Sequence, residues 1–152
     1  MPDIFVDGDA CPVKDEVLRV AERHGITVHL VGNSWLRAGG ARPLVRRVVV
    51  GEGFDAADDW IAEHVDPGDI AVTADIPLAA RCLVKGAQVI GHTGQPFTKA
   101  GIGNALAMRE LMAHLRDTGE VLGGGPAFST RDRSRFLQAL ENAVQAARRT
   151  GG

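Results

Sequence analysis

Short runs rich in valine and isoleucine alternate, in the first part of the chain, with stretches in which apolar residues recur at helical spacing. Runs of β-branched residues are typical of strands, whereas apolar residues three and four positions apart are typical of a helix that buries one face. The pattern predicts five strands, at residues 3–7, 26–31, 45–51, 70–74 and 87–92. It also predicts the helices that separate them, at residues 12–25, 55–65 and 76–86.

The alternation of strands and helices favours parallel β-α-β units with right-handed crossovers. The strands are apolar throughout, as expected where helices cover both faces of a sheet. We therefore predict an α/β fold, a three-layer α/β/α sandwich around a mostly parallel five-stranded sheet. If the strand order is 3-2-1-4-5, strands one and four are neighbours at the point where the order reverses.

The rest of the chain is predicted to be helical, at residues 101–119 and 129–149. Ser129 and Asp132 have the spacing of a capping box at the start of the last helix. The apolar residues of both helices recur at helical spacing, and we expect them to pack on the sheet. In the first of the two they are Ile102, Ala105, Leu106, Met108, Leu111, Met112 and Leu115. This organisation predicts one domain over residues 1–149 and a disordered tail at 150–152.

Composition narrows the class of protein. The formal net charge of −2 gives no overall attraction to nucleic acid or to a membrane. The two cysteines, Cys11 and Cys82, form no CxxC pair, which argues against a disulfide framework and against zinc. No apolar run approaches the roughly 20 residues of a transmembrane helix, and the start of the chain lacks the basic segment of a signal peptide. We expect a cytoplasmic protein without a membrane segment.

Aspartates follow three of the predicted strands at the points where the strands end. Asp7 and Asp9 follow the first strand, Asp75 follows the fourth, and Asp55 and Asp58 begin the helix after the third. The carboxyl ends of parallel strands form the ligand-binding edge of such sheets. Several carboxylates in one cleft suit a hard cation, Mg²⁺ or Mn²⁺, that keeps waters and bridges to a phosphate. The sequence therefore predicts a metal site at this edge.

Most of these aspartates also have an interpretation in which they only support the fold. Asp58 is favoured by the helix dipole at the third position of its helix, and Asp59 beside it can be solvated. Asp55 and Asp75 can each cap the helix that follows. The Asp-x-Asp pair after the first strand has no comparable structural role, so it is the firmer of the metal-binding hypotheses.

Three further residues have structural interpretations. Asp3 and Asp69 stand at the entrances of predicted strands, where we expect them to form turns. Cys11 lies at a helix N-terminus, where the dipole lowers a thiol pKa. No phosphate-binding CxxxxxR loop follows Cys11, which favours a packing role.

Basic and polar residues provide candidates for contact with a phosphate. Arg37 lies in a glycine-containing loop next to Trp35, an arrangement that suits phosphate contact and base stacking, although an ordinary solvated loop remains the alternative. Lys99 and Asn104 lie where the fourth helix begins, and helix N-termini attract phosphate. We therefore treat Arg37, Lys99 and Asn104 as candidate substrate-binding residues.

Five motifs along the chain resemble one known family. They are "VDGDACP", "GFDAADDWI", "TADIPLAARCLVKGA", "GQPFT" and "GGGPAFSTRDRSRFLQAL". Together they resemble the YaiI/YqxD family of uncharacterised bacterial proteins, which is similar to PIN-like and NYN-like nuclease domains. The resemblance runs nearly end to end and implies a single PIN-like domain with an acidic metal site, to which it assigns Asp7, Asp9, Asp55, Asp58 and Asp75. It also draws attention to Thr73 and to the "RDR" run, Arg131, Asp132 and Arg133, of which Thr73, Arg131 and Arg133 are candidate substrate contacts.

The leading hypothesis for function is a metal-dependent nuclease that acts on RNA. In it, Mg²⁺ or Mn²⁺ is held by catalytic carboxylates, and a metal-bound water attacks phosphorus. The catalytic candidates are Asp7, Asp9, Asp58 and Asp75. A haloacid-dehalogenase-like phosphatase is the alternative enzyme, with Asp7 as nucleophile and Asp9 as general acid, but its motif order fits poorly. The non-enzymatic alternative is an inactive PIN-like module that binds RNA or protein; a homodimer is left open.

Overall fold

The computed structural model of the chain describes residues 2–8, 11–32, 43–51, 56–117 and 128–150. Six strands and five helices lie within these ranges. The strands are β1 (Ile4–Asp7), β2 (Val28–Gly32), β3 (Val45–Val49), β4 (Ile70–Val72), β5 (Gln88–Ile90) and β6 (Pro96–Phe97). The helices are α1 (Lys14–His24), α2 (Ala56–His64), α3 (Ile76–Val84), α4 (Ile102–Asp117) and α5 (Thr130–Thr150).

One sheet contains all six strands in the order β3-β2-β1-β4-β5-β6. The first five are parallel in the predicted order, which confirms the reversal between β1 and β4. The sixth, β6, was not predicted, because its two residues are too few to show a pattern; it pairs antiparallel with β5. Val6 lies opposite Val72 in the register, so the residues that follow them, Asp7 and Thr73, lie at the same level.

The sheet is covered on both faces, which confirms the three-layer α/β/α architecture. Ile4 and Val6 of β1 point to the face covered by α1 and α5, where Phe136 and Leu140 are fully buried. Phe5, between them in the strand, points to the face covered by α2 and α3. Because alternate residues of the central strand enter opposite cores, β1 is fixed between both layers.

Two helix ends match the sequence signals, whereas the start of α1 and the end of α5 differ from the prediction. Gly25 ends α1 with a left-handed φ of 68°, and its amide bonds to the carbonyls of the last turn. The start of α1 differs from the prediction, because Val13 is the N-cap and Pro12 lies in the turn before the helix. Ser129 and Asp132 form the predicted capping box of α5, at 3.0 and 3.1 Å. Helix α5 reaches Thr150, one residue into the predicted tail.

Helix α4 departs from the predicted packing. None of its residues 102–115 is buried, and it lies against α3 at the periphery. Met108 is 57% exposed and Leu111 is 49% exposed, although both were expected to pack on the sheet. Helical spacing identified the helix correctly, but it does not reveal how much of an apolar stripe the rest of the chain covers.

Candidate functional site

The neighbouring ends of β1 and β4 are joined by a threonine hydroxyl. Thr73 follows β4 directly and is fully buried, and its Oγ1 donates to Asp7 Oδ2 at 3.2 Å. The same Oγ1 accepts the backbone N–H of Asp75 at 3.0 Å. Asp7 is half-buried as the last residue of its strand. Thr73 therefore fixes the orientation of the Asp7 carboxylate and ties it to the segment that carries Asp75.

Asp75 caps helix α3, as the structural interpretation predicted. Its Oδ1 accepts the backbone N–H of Leu78 at 2.8 Å, and Pro77 occupies the first turn. In the part of the chain that the structure describes, no donor reaches the other oxygen, Oδ2. A negative charge at this position is favoured by the helix dipole. The cap leaves one carboxylate oxygen at the ligand-binding edge of the sheet.

The aspartates of α2 have separate positions. Asp58 is half-buried in the first turn of α2. Asp59, next to it, is exposed and forms an ion pair with Arg81 at 2.8 Å. Asp9 and Asp55 lie outside the described residues. Over the ranges that the structure describes, no three or more His, Cys, Asp or Glu side chains form a group able to hold a metal ion.

The predicted phosphate contacts are spread over two helix starts. Lys99 and Asn104 are exposed at the beginning of α4. Thr98 caps this helix, since its hydroxyl accepts the N–H of Gly101 at 3.0 Å. Arg131 is exposed in the first turn of α5, whereas Arg37 lies outside the described residues.

Arg133 is engaged within the protein. Its guanidinium donates to the Pro12 carbonyl at 3.0 Å and to Glu16 Oε1 at 2.9 Å. It also lies over the ring of Phe128, 4.9 Å from the centroid. Since Pro12 belongs to the segment after β1, these contacts tie the start of α5 to the chain that leaves the strand-end aspartates. Phosphate contact through Arg133 would compete with them.

The two cysteines have the character of core residues. Burial raises the pKa of Cys11, outweighing the lowering effect of the nearby backbone N–H and of Lys14. Burial also raises the pKa of the Cys82 thiol, to about 11. Both thiols are free and stay protonated near neutral pH. This agrees with the packing role expected for Cys11.

A cavity of 740 Å³ lies beside the strand-end aspartates, between β5, β6 and α4. The β5–β6 hairpin forms one wall, and Gly94 in it has a φ of +86° and packs on α5 so closely that a Cβ would lie 2.6 Å from the Arg135 carbonyl oxygen. No pattern in the sequence had predicted this cavity. The signal was present in Met108 and Met112, one turn apart, but the pattern was attributed to core packing.

A second group of aspartates lies at the amino ends of the same two strands. Asp69 is buried, and its carboxylate accepts the backbone N–H groups of Asp3 at 3.0 Å and Asp66 at 2.9 Å. Asp3 in turn pairs with His29 at 3.0 Å. Asp69 has the predicted turn role, since its N–H and its carboxylate both bond to Asp66 across a turn. Asp3 was also predicted to form a turn, but it lies in the segment before β1 and links Asp69 to His29 instead. The His29 ring stacks on Phe5 at 4.5 Å, a contact that no motif indicated.

The comparisons with known proteins agree on one family. A family model described as "Uncharacterized BCR, YaiI/YqxD family" matches residues 5–146. A UPF0178 protein of Parvibaculum lavamentivorans is 64% identical over 149 residues, 98% of this chain and 97% of that protein. A UPF0178 protein of Rhodospirillum rubrum is 58% identical over 147 residues, 97% and 98% of the two chains. No solved structure matches the chain significantly.

One finding bears on membrane association. None of the helices in the described ranges combines the length and the apolar character needed to cross a bilayer.

Proposed function

The chain belongs to the YaiI/YqxD family, and from that premise we propose that it is a nuclease that depends on Mg²⁺ or Mn²⁺ and acts on RNA. The observation that carries the proposal is the hydrogen-bonded link from Asp7 through the Thr73 hydroxyl to Asp75. It brings carboxylates of two chain segments to the edge where strand order reverses, the usual ligand site of an open parallel sheet.

The donor chemistry suits a hard divalent cation. Mg²⁺ commonly keeps several waters and binds one or two carboxylates together with a substrate phosphate, so three protein ligands are not required. We assign Asp7 and Asp75 as the carboxylates that would hold the cation, with Asp9 and Asp58 as further candidates. When bound, the cation would supply an activated water and offset the charge on the phosphate.

The residues of the chain then have separate tasks. Thr73 holds the Asp7 carboxylate in one orientation through its 3.2 Å hydrogen bond. The hydrogen bond from the Leu78 N–H to Asp75 Oδ1 holds the Asp75 carboxylate in one orientation. The position of its second oxygen, Oδ2, is thereby fixed as well. Exposed Lys99 and Arg131 are the cations we propose for holding the RNA backbone, an electrostatic contact without base preference.

A matched pair of variants tests the proposal. Asp75→Asn keeps the helix cap, because asparagine caps as well as aspartate does, yet it removes the charge. Asp59→Asn makes the same change on an exposed residue outside the site. With Mn²⁺ and single-stranded RNA, we expect Asp75→Asn and Asp7→Asn to abolish cleavage and Asp59→Asn to retain it.

Three outcomes contradict the proposal. Cleavage that needs no metal and survives both Asp7→Asn and Asp75→Asn would come from another site or a contaminant. A covalent phosphate trapped on Asp7, with hydrolysis of phosphomonoesters and not of RNA, would assign the phosphatase. RNA binding without cleavage under every metal condition would assign the non-enzymatic module.

A further inference from the structure

The cavity beside the site has the size and lining of a small-molecule pocket. Its 740 Å³ falls within the usual range for such pockets. The described residues that line it are mostly apolar and include no carboxylate. Their polar members are His92, Thr93, Gln95, Thr98 and Arg109. A neutral ring system with a few polar edges fits this lining.

The walls favour a flat aromatic ring. Phe97 and Phe128 contribute aromatic faces, and Met108 and Met112 contribute thioethers from successive turns of α4. Thioether side chains adapt their shape and make favourable contacts with rings. Met108 is 57% exposed although it lines the cavity, so the wall has an apolar group that no other described part of the chain covers. A bound ring would cover it.

The charge of the lining distinguishes it from the carboxylates next to it. Arg109 is the one charged residue among the described residues that line the cavity. His92 adds no positive charge near neutral pH, because burial lowers its pKa. A ligand with an uncharged ring and a negative group therefore has a complementary surface, the ring against the thioethers and the negative group toward Arg109.

The cavity adjoins the segment that carries Asp75. Ala74 and Ile76 both line it, and they flank Asp75 in the chain. The amide of Asp75 is bonded to the Thr73 hydroxyl, which donates to Asp7. A base within a strand has a phosphate on each side of its ribose, so a ring held in the cavity would direct one phosphate toward Arg109 and the other toward the carboxylates proposed to hold the cation.

We propose that the cavity binds one base of a single-stranded RNA and thereby positions the adjoining phosphate at Asp7 and Asp75. The inference rests on the proposed function for its chemical purpose, but binding of the base does not require cleavage. Helix α4 and the β5–β6 hairpin, which line the cavity, would then select the substrate. The polar groups His92, Thr93 and Gln95 would contact the edge of the base.

The chain provides its own spectroscopic probe. It has three methionines, Met1, Met108 and Met112, of which two line the cavity. Methyl-labelled methionine would give one NMR signal for each, assigned with Met108→Leu and Met112→Leu. We expect nucleoside 5′-monophosphates, without metal, to shift the Met108 and Met112 signals upfield through the ring current of the base. Ribose 5-phosphate, which lacks a base, should leave both nearly unchanged.

Two substitutions on the same helix separate filling of the cavity from damage to the helix. Ala105 lines the cavity, whereas Ala107 is exposed and does not line it. We expect Ala105→Phe to weaken nucleotide binding by about tenfold, the effect of losing one stacked base, and to raise the KM for RNA. Ala107→Phe should change neither. If Ala105→Phe fails to fold by circular dichroism, Arg109→Gln serves instead and should weaken nucleotide binding while preserving ring-current shifts at saturation.

The outcomes distinguish this inference from the proposed function. Equal shifts with ribose 5-phosphate, or no shift with any nucleotide at millimolar concentration, would overturn the base-binding cavity even if the protein cleaves RNA. Shifts that follow protein concentration and not nucleotide would assign the exposed face of α4 to a second copy of the chain, which also overturns it. Base-dependent shifts in a protein that never cleaves RNA would support the cavity and contradict the nuclease.

Discussion

Aspartates gather at both ends of the central strands β1 and β4, and their surroundings differ. At the amino end, Asp69 is buried with both carboxylate oxygens bonded to backbone N–H groups, those of Asp3 and Asp66. At the carboxyl end, Asp7 and Asp75 are half-buried. The Asp75 carboxylate accepts one backbone N–H, that of Leu78, and the Asp7 carboxylate accepts the Thr73 hydroxyl.

The difference separates structural carboxylates from candidates for chemistry. A buried carboxylate whose oxygens accept backbone amides satisfies those amides and holds the chain. The Asp75 carboxylate, whose Oδ2 meets no donor among the described residues, has capacity for a cation or a substrate. Asp69 and Asp75 therefore differ in the number of backbone amides that each carboxylate satisfies, two against one.

The largest effect is expected at the amino end. Asp69→Ala leaves the N–H groups of Asp3 and Asp66 without their acceptor, and we expect a loss of about 3 kcal/mol in the free energy of unfolding. Asp69→Asn can still accept one of the two and should lose about half as much. Urea denaturation measures both. If Asp69→Ala unfolds at the same urea concentration as the wild type, the structural assignment of this end is wrong.

The next largest effect on stability is expected at Thr73, which links the two carboxyl-end aspartates, Asp7 and Asp75. Thr73→Val removes the donor to Asp7 and the acceptor for the Asp75 N–H, at an expected cost of about 2 kcal/mol. If Mn²⁺ binds as proposed, it should raise the melting temperature of the wild type by mass action, and Thr73→Val should abolish that rise. Thr73→Ser is the control, since it loses a buried methyl group but keeps the hydroxyl and should keep the Mn²⁺ response. A Mn²⁺ response that survives in Thr73→Val would separate Thr73 from the site.

A smaller effect is expected at Asp75, where two substitutions separate the role of the helix cap from the role of the negative charge. Asp75→Ala loses the helix cap and should cost about 1 kcal/mol, whereas Asp75→Asn keeps it and should cost almost nothing. Both should lose the Mn²⁺-dependent rise in melting temperature. The comparison between the two ends fails if Asp75→Asn destabilises the protein as much as Asp69→Asn does.

The smallest effect is a pH dependence. Burial raises the pKa of Asp69 in the folded protein above that in the unfolded chain, although its backbone hydrogen bonds oppose this. As pH falls, the Asp69 carboxylate therefore becomes protonated in the folded protein before it does in the unfolded chain. The contribution of Asp69 to stability becomes more favourable as pH falls through its folded pKa, and it levels off below its unfolded value of about 4.

The measurement compares the wild type with Asp69→Asn. Their difference in unfolding free energy should increase in favour of the wild type as pH is lowered from 7 toward about 4. A difference that shrinks over the same range would mean that the hydrogen bonds from Asp3 and Asp66 outweigh burial and lower the Asp69 pKa.

The fold could be predicted from the sequence because each signal is local. Short runs rich in valine and isoleucine marked β1 to β5, and Gly25 and the Ser129–Asp132 pair marked helix ends. The winding rule for α/β sheets then gave the strand order. Strand β6 has two residues and could not be recognised from periodicity. The exposure of Met108 depends on what the rest of the chain covers, which no local pattern contains.

The candidate site was predictable in part. The positions of Asp7 and Asp75 at strand ends follow from the same local signals. The hydrogen bond from Thr73 to Asp7 depends on the register of β1 against β4, and only the resemblance to a family had drawn attention to Thr73. The internal contacts of Arg133 with Pro12 and Glu16 depend on how α5 packs against α1, and the "RDR" motif does not encode them.

The span between Thr73 and Asp7 has a consequence for the order of events during synthesis. The two residues are 66 positions apart, and β1, β2 and β3 all precede β4 along the chain. A chain emerging from the ribosome at about 5 to 20 residues per second exposes Asp7 several seconds before Thr73 is available. During that interval one side of β1 has its partner β2 while the other side awaits β4. The hydrogen bond between Thr73 and Asp7 therefore forms late, only when the second half of the sheet joins the first.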